Sequence, residues 1–409
     1  MSFLKLFKQF VVTGFNKKLL FLSETTCWSY EIQPDLPLEK CRPKKYFDAD
    51  SDSDEESTQQ PQKPPTNGNG TADNVQIVAL EVHEGKSLLA VATSDKSLFL
   101  FAIDPEGDET NKDRLKLLSR RMVSRTSSCM KFAASGKFLV VCDKGGDCYR
   151  YDCDDDDCKK PGRWLLGHMS QVLDVLVPDN ERFIITSDRD EKIRVTNHPD
   201  CHSIETFCLG HGEFVSQLEF VTAKDGKSRL LSLSGDKTLR LWDYETGKEV
   251  ARKELSHPGN RFAVKQLLDG TLLVAVLFYE PTEMAIYKLT EVESLTSETI
   301  QTLKTNQNEV FSSFAFDERN NLLSLVVDKV TEKISLKWYQ FEQENCKFND
   351  LTPNPLEKLF FDNTENDKIS YVDSVSFLFK KKFDNLKDYQ ERKRRRIVEG
   401  GKYNYGGRM

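Results

Sequence analysis

Long apolar runs are missing from this 409-residue sequence, in which 38% of the residues are hydrophobic and 30% are charged. No stretch approaches the roughly 20 apolar residues that a membrane helix needs. The first residues, MSFLKLFKQFVVTGF, are apolar but include Lys5 and Lys8, and no small-residue cleavage site follows them. We therefore expect a soluble protein without a membrane partner, whose N-terminal segment forms strands.

Paired cysteine motifs are also missing. Ten cysteines, none in a C-x-x-C pair, predict reduced thiols in a nuclear or cytosolic compartment. Cys148, Cys153 and Cys158 are close in sequence, but their spacing matches no zinc pattern. The sequence therefore predicts no metal site, and most cysteines are expected to be small core residues.

Motifs of catalysis and cofactor binding are missing as well. The chain has no G-x-G-x-x-G, no G-x-x-x-x-G-K-[ST], no H-E-x-x-H and no G-x-S-x-G. It has only six histidines, and its many carboxylates lie in turns and acidic tracts, where paired acid/base chemistry is not indicated. We expect a protein that is not an enzyme and that presents surface loops and strand edges to other macromolecules.

Short segments rich in Val, Ile, Leu and Phe fill most of the chain. Turns of Gly, Asp, Asn and Lys separate them, as in SLLAVATSD, SLFLFAID, RFIITSD and TLRLWD. No segment before the C-terminal tail has the pattern of a long amphipathic helix. Regular strands with turns between them predict an all-β fold.

One stretch carries a complete WD-type repeat. Leu209–Asp243, LGHGEFVSQLEFVTAKDGKSRLLSLSGDKTLRLWD, has a Gly-His pair, a Ser-x-Ser-Gly-Asp turn and a closing Leu-Trp-Asp. The preceding stretch starts with Gly167-His168, 43 residues before the second Gly-His pair, and ends with Thr196-Asn197 in place of Trp-Asp. This spacing is typical of the blade period of a β-propeller.

Strand ends equivalent to Trp242 recur along the chain. We place them at Trp28, Phe101, Tyr151, Thr196, Trp242, Tyr287 and Trp338. From Phe101 onward the spacings are 50, 45, 46, 45 and 51 residues, and only the first interval, of 73 residues, is longer. Seven markers predict a WD-repeat β-propeller with seven blades. We also expect strands in KISYVDSVSFLF, near the C-terminus, to help complete the first blade and close the ring.

Two segments depart from the propeller pattern and carry opposite charge. Residues 46–74 are acidic and then rich in Pro, Gly, Asn and Gln, which predicts a disordered insertion between first-blade strands (1–45) and the remaining blades (75–379). Residues 380–409 form a basic tail that contains Arg392, Lys393, Arg394, Arg395 and Arg396. Such a block is typical of nuclear localisation or nucleic-acid binding, and a solvated helix end is the alternative.

Polar residues in the complete repeat are spaced for a structural role. His211, Ser232, Asp236 and Trp242 have the spacing of a hydrogen-bonded tetrad that holds the strands of one blade together. In the preceding repeat, the tetrad positions are filled by His168, Thr186, Asp190 and Thr196. We expect these residues to serve structure and not chemistry.

The segment SRRMVSRTSSCMKF has a local excess of basic residues that could lie along a phosphate backbone. Its candidate nucleic-acid contacts are Arg120, Arg121, Arg125 and Lys131. An ordinary charged strand and turn is the alternative.

Two further stretches are much more specific than the WD pattern. ITSDRDEKIRV (185–195) and HSIETFCLGHGEFVSQL (202–218) resemble the WD-repeat, non-catalytic subunit of the tRNA guanine-N7 methyltransferase, the Wuho family. The resemblance implies a heterodimer with a Rossmann-type methyltransferase that binds S-adenosylmethionine and methylates a variable-loop guanosine of tRNA. It also implies tRNA as a partner, a flap endonuclease as a further partner, and a location in the nucleus and also the cytoplasm.

The resemblance further implies that the loop SDRDEKIR docks the methyltransferase. Carried over by position, the partner-binding residues are Asp190, Glu191, Lys192 and Arg194. Opposite charges across an interface set register and exclude wrong partners. Arg194 is the strongest candidate because its planar guanidinium can bind a carboxylate in two places. The alternative function is a scaffold or adaptor in a chromatin, ubiquitin-ligase or genome-maintenance complex.

Overall fold

A computed structural model describes residues 2–23, 26–33, 75–104, 114–154, 158–223, 225–350 and 354–380, together with 390, 393 and 394. The insertion assigned to 46–74, and most of the basic tail, lie outside these residues. Within the described residues the chain forms seven antiparallel sheets of four strands, each taken in chain order.

The first four blades run from the N-terminus to the Gly-His pair of the complete repeat. Blade 1 contains β1 Ser2–Phe7, β2 Phe10–Phe15, β3 Lys18–Leu22 and β4 Cys27–Glu31. Blade 2 contains β5 Ile77–His83, β6 Leu88–Thr93, β7 Ser97–Ile103 and β8 Leu115–Met122. Blade 3 contains β9 Ser127–Phe132, β10 Phe138–Asp143, β11 Asp147–Asp152 and β12 Arg163–Gly167. Blade 4 contains β13 Val172–Leu176, β14 Phe183–Asp188, β15 Ile193–Asn197 and β16 Ile204–Cys208.

The last three blades follow the same order. Blade 5 contains β17 Val215–Thr222, β18 Ser228–Ser234, β19 Thr238–Asp243 and β20 Lys248–Glu254. Blade 6 contains β21 Gly259–Gln266, β22 Leu272–Phe278, β23 Met284–Glu291 and β24 Thr296–Leu303. Blade 7 contains β25 Glu309–Phe316, β26 Leu322–Asp328, β27 Ile334–Glu342 and β28 Lys347–Asp350.

Burial along the strands follows from the packing of blade against blade. The second strand of a blade is covered on both faces, so that β6, LLAVAT, and β22, LLVAVLF, are buried along their whole length. The fourth strand lies at the outer edge, and β20, KEVARKE, is mostly exposed and charged. The core therefore consists of apolar layers between neighbouring blades.

The first strands of the blades form the inner ring. Each contacts the next in the order β1, β5, β9, β13, β17, β21 and β25, and β25 returns to β1. The predicted seven-blade propeller is confirmed. We define the top face as the end that carries the turns between second and third strands, such as the turn between β14 and β15, and the bottom face as the opposite end.

Two details of the predicted blade 1 are wrong. Trp28 lies in the fourth strand, whereas the other six markers lie in third strands; its ring stacks on Phe21 of β3, with centroids 3.8 Å apart. The C-terminal KISYVDSVSFLF adds no strand to blade 1, because residues 2–31 already supply four. Within the described residues, blades 7 and 1 close the ring by side-chain packing and by the bond from Leu4 N to Ser313 Oγ, 3.2 Å.

A helix that the sequence pattern did not predict covers this closure. Helix α1, Pro355–Thr364, is capped at its N-terminus by Asn354, whose side chain accepts a hydrogen bond from Leu356 N at 2.8 Å. Phe360 is fully buried and packs edge-on against Phe15 of β2. No helix in the described part of the chain has the length and apolar composition needed to cross a bilayer.

After the helix, residues 368–380 cross the top face, and we call this segment the strap. It contains a short 3-10 helix, Ser376–Leu378. Asn16 Nδ2 donates to the Lys368 carbonyl at 2.9 Å, and the Tyr279 hydroxyl donates to Asp373 at 2.9 Å. The strap therefore runs from blade 1 over blade 7 to blade 6, and it continues toward blades 5 and 4.

Candidate partner-docking surface

The docking loop, residues 187–194, consists of the turn between β14 and β15 on the top face and the strand residues on either side of it. Asp188 N donates to the Lys192 carbonyl at 3.1 Å, and Lys192 N donates to Asp188 Oδ1 at 2.9 Å. Glu191 has a φ of 66°, the left-handed conformation that reverses the chain in such a turn. Ile193 and Val195 are fully buried beyond the turn and fix its base.

The structural hydrogen bonds of blade 4 use Asp188 where the repeat spacing predicts Asp190. His168 Nδ1 is 3.1 Å from Asp188 Oδ2, and His168 Nε2 is 2.8 Å from Thr186 Oγ1. Asp188 lies at the end of β14 and points inward, so the +4 spacing taken from blade 5 selected the wrong aspartate. Asp190 is thereby left available for a partner.

The tetrad residues of blade 5 lie together inside their sheet. His211 Nε2 is 2.7 Å from Ser232 Oγ, which also accepts a hydrogen bond from Trp242 Nε1 at 2.8 Å. His211 Nδ1 is 3.0 Å from Asp236 Oδ2. Burial lowers the pKa of His211, so the ring is held neutral within this network.

The four predicted partner-binding residues differ in availability. Lys192 is exposed and Asp190 is half-buried, and neither forms an ion pair with a described residue. Glu191 is paired within the chain, since its Oε2 lies 2.5 Å from Lys380 Nζ. Arg194, the strongest candidate from the sequence, is half-buried, and its Nη1 donates to the Gly167 carbonyl at 3.1 Å.

The strap reaches the docking loop through its last three residues. The Leu378 carbonyl accepts a hydrogen bond from Arg189 Nε at 3.3 Å, and Lys380 N donates to Glu213 Oε2 at 3.2 Å. Lys380 and Glu191 are 189 positions apart, and no local pattern could have indicated their contact. The surface around the docking loop is therefore built from two distant parts of the sequence.

Three of the candidate nucleic-acid contacts are engaged inside the propeller. Arg120 is buried and its Nε donates to Ser97 Oγ at 3.1 Å. Arg121 is 1% exposed and donates to the Asp152 carbonyl at 2.8 Å, which leaves an RNA backbone no access to it. Lys131 is half-buried on the innermost strand β9, where the carboxylate of Glu81, 3.1 Å away, raises its pKa.

Arg125 differs from these three because it is exposed on the top face. A Cβ placed on Gly145 would lie 2.6 Å from Arg125 Nη1, so this side chain crosses the turn between β10 and β11. That turn carries exposed Lys144, and the turn between β6 and β7 carries exposed Lys96. We call Lys96, Arg125 and Lys144 the basic turn cluster; none of them forms an ion pair with a described residue.

Sequence reasoning missed Lys96 and Lys144, although a signal was available. Each directly follows an aspartate at or just beyond the end of a second strand, as Lys237 follows Asp236 in the complete repeat. The repeat alignment therefore placed both lysines in top-face turns. A search for dense basic runs overlooks them because the turns belong to different blades.

A metal site within the described residues would require a group of ligating side chains close together. Among these residues, no three His, Cys, Asp or Glu side chains are grouped to hold a metal ion. Cys153 and Cys158 are buried, and burial raises the pKa of Cys153 to about 12, which keeps it an unreactive thiol at neutral pH.

Comparison with known proteins identifies the family. The family model described as the tRNA methyltransferase TRM82 WD40 domain matches residues 30–161 and 152–348. This chain belongs to the TRM82 WD40 family. A Culex quinquefasciatus protein named tRNA (guanine-N(7)-)-methyltransferase non-catalytic subunit wuho is 54% identical over 415 residues, covering 98% of this chain and 99% of the relative.

More distant relatives carry the same name. The Drosophila melanogaster protein is 37% identical over 346 residues, which cover 81% of this chain and 76% of the relative. The Anopheles gambiae protein is 32% identical over 397 residues, which cover 96% of this chain and 97% of the relative. The similarity thus extends well beyond residues 185–195 and 202–218, which carry the most specific resemblance.

Proposed function

We propose that this chain is the non-catalytic subunit of a tRNA (guanine-N7)-methyltransferase. It stabilises and activates a separate catalytic subunit for N7-methylation of the variable-loop guanosine. The observation that carries the proposal is the 54% identity, over 98% of this chain, to a protein of that name. S-adenosylmethionine and the catalytic residues would belong to the partner.

The docking loop is the site at which the catalytic subunit would bind. Asp190 and Lys192 offer one charge of each sign on a turn whose shape is fixed by backbone bonds to Asp188 and Lys192. A rigid turn loses little conformational entropy on binding, and paired charges of opposite sign select one register. Arg194 would act by holding the turn against Gly167, in addition to any contact that it makes itself.

The substrate tRNA would lie across the top face. The basic turn cluster extends the docking surface from blade 4 over blades 3 and 2 and provides three cations for a phosphate backbone. Lys131, Arg120 and Arg121 would support the propeller and not the RNA. The flap endonuclease partner and the nuclear location rest on the family resemblance and the basic block alone.

Co-expression with the catalytic subunit, followed by methylation of tRNA, tests this function. The chain alone should transfer no methyl group, the catalytic subunit alone should have little activity, and the purified pair should be active. Asp190→Lys combined with Lys192→Glu should reduce co-purification of the catalytic subunit at least tenfold. Each substituted side chain would then face a charge of its own sign on the catalytic subunit.

The matched control is Asp179→Lys combined with Lys227→Glu. Both positions are exposed in bottom-face turns of blades 4 and 5. The heterodimer that contains this control variant should therefore assemble and methylate tRNA as the wild type does. Full activity of the catalytic subunit without this chain would refute the function. Normal assembly of the top-face variant would refute only the docking site.

A further inference from the structure

Large apolar side chains are exposed mainly on the top face. Eleven are exposed in the part of the chain that the structure describes, and six of these lie in top-face turns or in the strap. The six are Met169, Leu209, Val330, Tyr371, Val372 and Phe377. Of the remainder, Leu268 lies in a bottom-face turn, and the others lie on helix α1 or on fourth strands at the outer edge. Apolar side chains concentrated on one face are typical of an interaction surface.

Two of the six, Met169 and Phe377, lie in segments that the docking loop contacts directly. The connecting residue of the loop is Arg189. Its backbone N–H donates to the Gln171 carbonyl at 3.0 Å, and its side-chain Nε donates to the Leu378 carbonyl at 3.3 Å. Met169 lies shortly before Gln171, and Phe377 directly precedes Leu378. The docking loop thus contacts two segments that each carry an exposed apolar side chain, one toward blade 3 and one toward blade 5.

The segment that carries Met169 is fixed through its backbone. His168 N donates to the Gly146 carbonyl at 2.8 Å, and a Cβ placed on Gly146 would lie only 2.7 Å from the Ser170 carbonyl oxygen. Gly146 belongs to the blade 3 turn that also carries Lys144. Met169 itself is fully exposed. A methionine on a fixed backbone suits a contact with a partner, because its flexible side chain adapts to the shape of an apolar pocket.

Phe377 belongs to a fixed turn of the strap and is half-exposed. Val375 and Leu378, which lie before and after it, are buried against Phe214 of blade 5. Asp373 Oδ1 accepts a hydrogen bond from Val375 N at 2.9 Å, which fixes the backbone at the start of the 3-10 helix. An aromatic side chain on such a turn loses little conformational entropy when it enters a pocket.

The docking loop alone is too small and too polar for a stable heterodimer. A specific interface typically buries about 800 Å² on each partner, which is several times the area of one turn. The core of such an interface is depleted of charged residues and enriched in methionine and aromatic side chains. Asp190 and Lys192 would therefore set the register, and neighbouring apolar side chains would supply most of the affinity.

The charge around Phe377 favours a protein over a nucleic acid as the partner. The charged groups that belong to residues 373–380, or contact them in the described part of the chain, are Arg189, Glu191, Glu213, Asp373 and Lys380. Three of these groups are carboxylates and two are cations, so there is no excess of base to attract a phosphate backbone. The basic turn cluster, in contrast, lies on blades 2 and 3.

We propose that Met169 and Phe377 are the apolar anchors of the heterodimer. The occupant of this surface is the catalytic subunit, which places an apolar pocket over each anchor and charges of opposite sign against Asp190 and Lys192. The strap is then part of the interface and not only a cover of the top face. The inference rests on the proposed function, because it takes the docking loop as the place where the catalytic subunit binds.

Alanine substitution of the two anchors tests the proposal with the full chain and the purified catalytic subunit. Met169→Ala and Phe377→Ala should each raise the Kd between the subunits by about tenfold or more, the usual effect of removing an interface hot spot. Both side chains are exposed in the free chain, so neither variant should change its melting temperature. At saturating concentrations of this chain the kcat should return to the wild-type value, because the anchors act on assembly.

Leu268→Ala and Phe361→Ala are the matched controls. Leu268 is fully exposed in a turn, as Met169 is, but on the bottom face. Phe361 is 51% exposed on helix α1, beside blades 7 and 1, and Phe377 is 49% exposed. The two phenylalanine substitutions therefore remove the same atoms from equally exposed positions. Both controls should leave the Kd between the subunits unchanged.

Three results would overturn the proposal. An unchanged Kd for both anchor variants would assign assembly to the charges of the docking loop and to other surfaces. A normal Kd between the subunits combined with weaker binding of tRNA would assign Phe377 to the RNA. Self-association of the isolated chain that both substitutions abolish would assign the surface to a second copy.

These results are distinguishable from failure of the proposed function. In each of the three cases, an active heterodimer of the wild-type chains would leave that function intact. A catalytic subunit that is fully active without this chain would refute the function, whatever the Kd of the anchor variants.

Discussion

At the scale of single residues, the side chains of the docking loop have two roles: some bind other parts of the propeller, and others are left for a partner. Asp188 binds His168, Arg194 binds Gly167, and Glu191 binds Lys380 of the strap. Asp190 and Lys192 have no such partner among the described residues. A cluster of mixed charge that looks uniform in sequence is therefore partly internal structure and partly free surface.

The pairing of Glu191 with Lys380 predicts the result of a charge exchange. Glu191→Lys alone should weaken assembly or tRNA binding, because the end of the strap then meets a like charge. Adding Lys380→Glu restores an attractive pair and should recover most of the loss. Affinity measurements on the heterodimer check this double-mutant cycle.

The cycle also discriminates between two roles of Glu191. If Glu191 contacts the catalytic subunit directly, the exchanged pair should remain as defective as Glu191→Lys alone. Lys380→Glu alone should resemble Glu191→Lys if the contact is internal. The exposed pair is worth no more than about 1 kcal/mol, so neither single variant should unfold the propeller.

Contacts in the site could be predicted from sequence where residues at fixed spacing within one repeat make them, and could not where they depend on side-chain direction or on distant parts of the chain. The blade 5 tetrad follows from spacing, because His211, Ser232 and Trp242 occupy fixed positions in a regular repeat. The choice of Asp188 over Asp190 depends on which side chain points inward at the end of β14, which spacing does not encode. The Lys380 contact depends on the whole path of the strap.

At the scale of elements, strands were predictable and the helix was not. Strands such as β22 are apolar runs bounded by turns, and each agrees with the propeller period. Helix α1 has only ten residues, and its apolar stripe, formed by Leu356, Leu359 and Phe360, spans little more than one turn of the sequence PLEKLFFDNT. Such a short helix is stabilised mainly by the surface on which it packs. Trp28 was misplaced because the 73-residue interval before Phe101 breaks the repeat period that fixed the other markers.

Two adjacent phenylalanines in α1 provide a test of that packing. Phe360 is fully buried over the closure between blades 7 and 1, whereas Phe361 is 51% exposed. Phe360→Ala should lower the free energy of unfolding by about 3 to 5 kcal/mol, the usual cost of such a cavity. Phe361→Ala should change it by about 0.5 kcal/mol or less.

Chemical denaturation with a fluorescence readout measures both effects. The two substitutions remove the same atoms from neighbouring positions of one helix, so propensity and composition cancel between them. Equal destabilisation would mean that α1 does not seal the closure. A decrease in the free energy of unfolding that is confined to Phe360→Ala would show that the ring depends on this helix, although the helix adds no strand to any blade.

At the scale of the whole molecule, two kinds of contact hold the ring together. Ion pairs link innermost strands, and apolar layers pack between neighbouring blades. Glu81 of β5 binds Lys5 of β1 at 2.5 Å and Lys131 of β9 at 3.1 Å, which links three innermost strands. Burial alone would raise the pKa of Glu81, but the two lysines hold it below its ordinary value. These links and the closure by α1 remove the need for a C-terminal strand in blade 1.

Stability of the whole ring should decrease as pH falls from about 7.5 to 5.5. Burial lowers the pKa of both His168 and His211 in the folded state. Unfolded histidine titrates near pH 6.5, so below that value the unfolded chain binds protons that the folded chain excludes. The stabilisation is therefore complete above about pH 6.5 and is lost as pH decreases through this window.

Melting temperatures of the wild type and of His168→Gln/His211→Gln, measured at pH 7.5 and 5.5, check this dependence. The variant should be less stable at pH 7.5, because glutamine fits the two networks imperfectly, and it should lose less stability on acidification. Asp174, whose pKa burial raises to about 6, favours folding at the lower pH, but it acts equally in both proteins and cancels. An identical change in melting temperature in the two proteins would assign the pH dependence to groups other than the blade histidines.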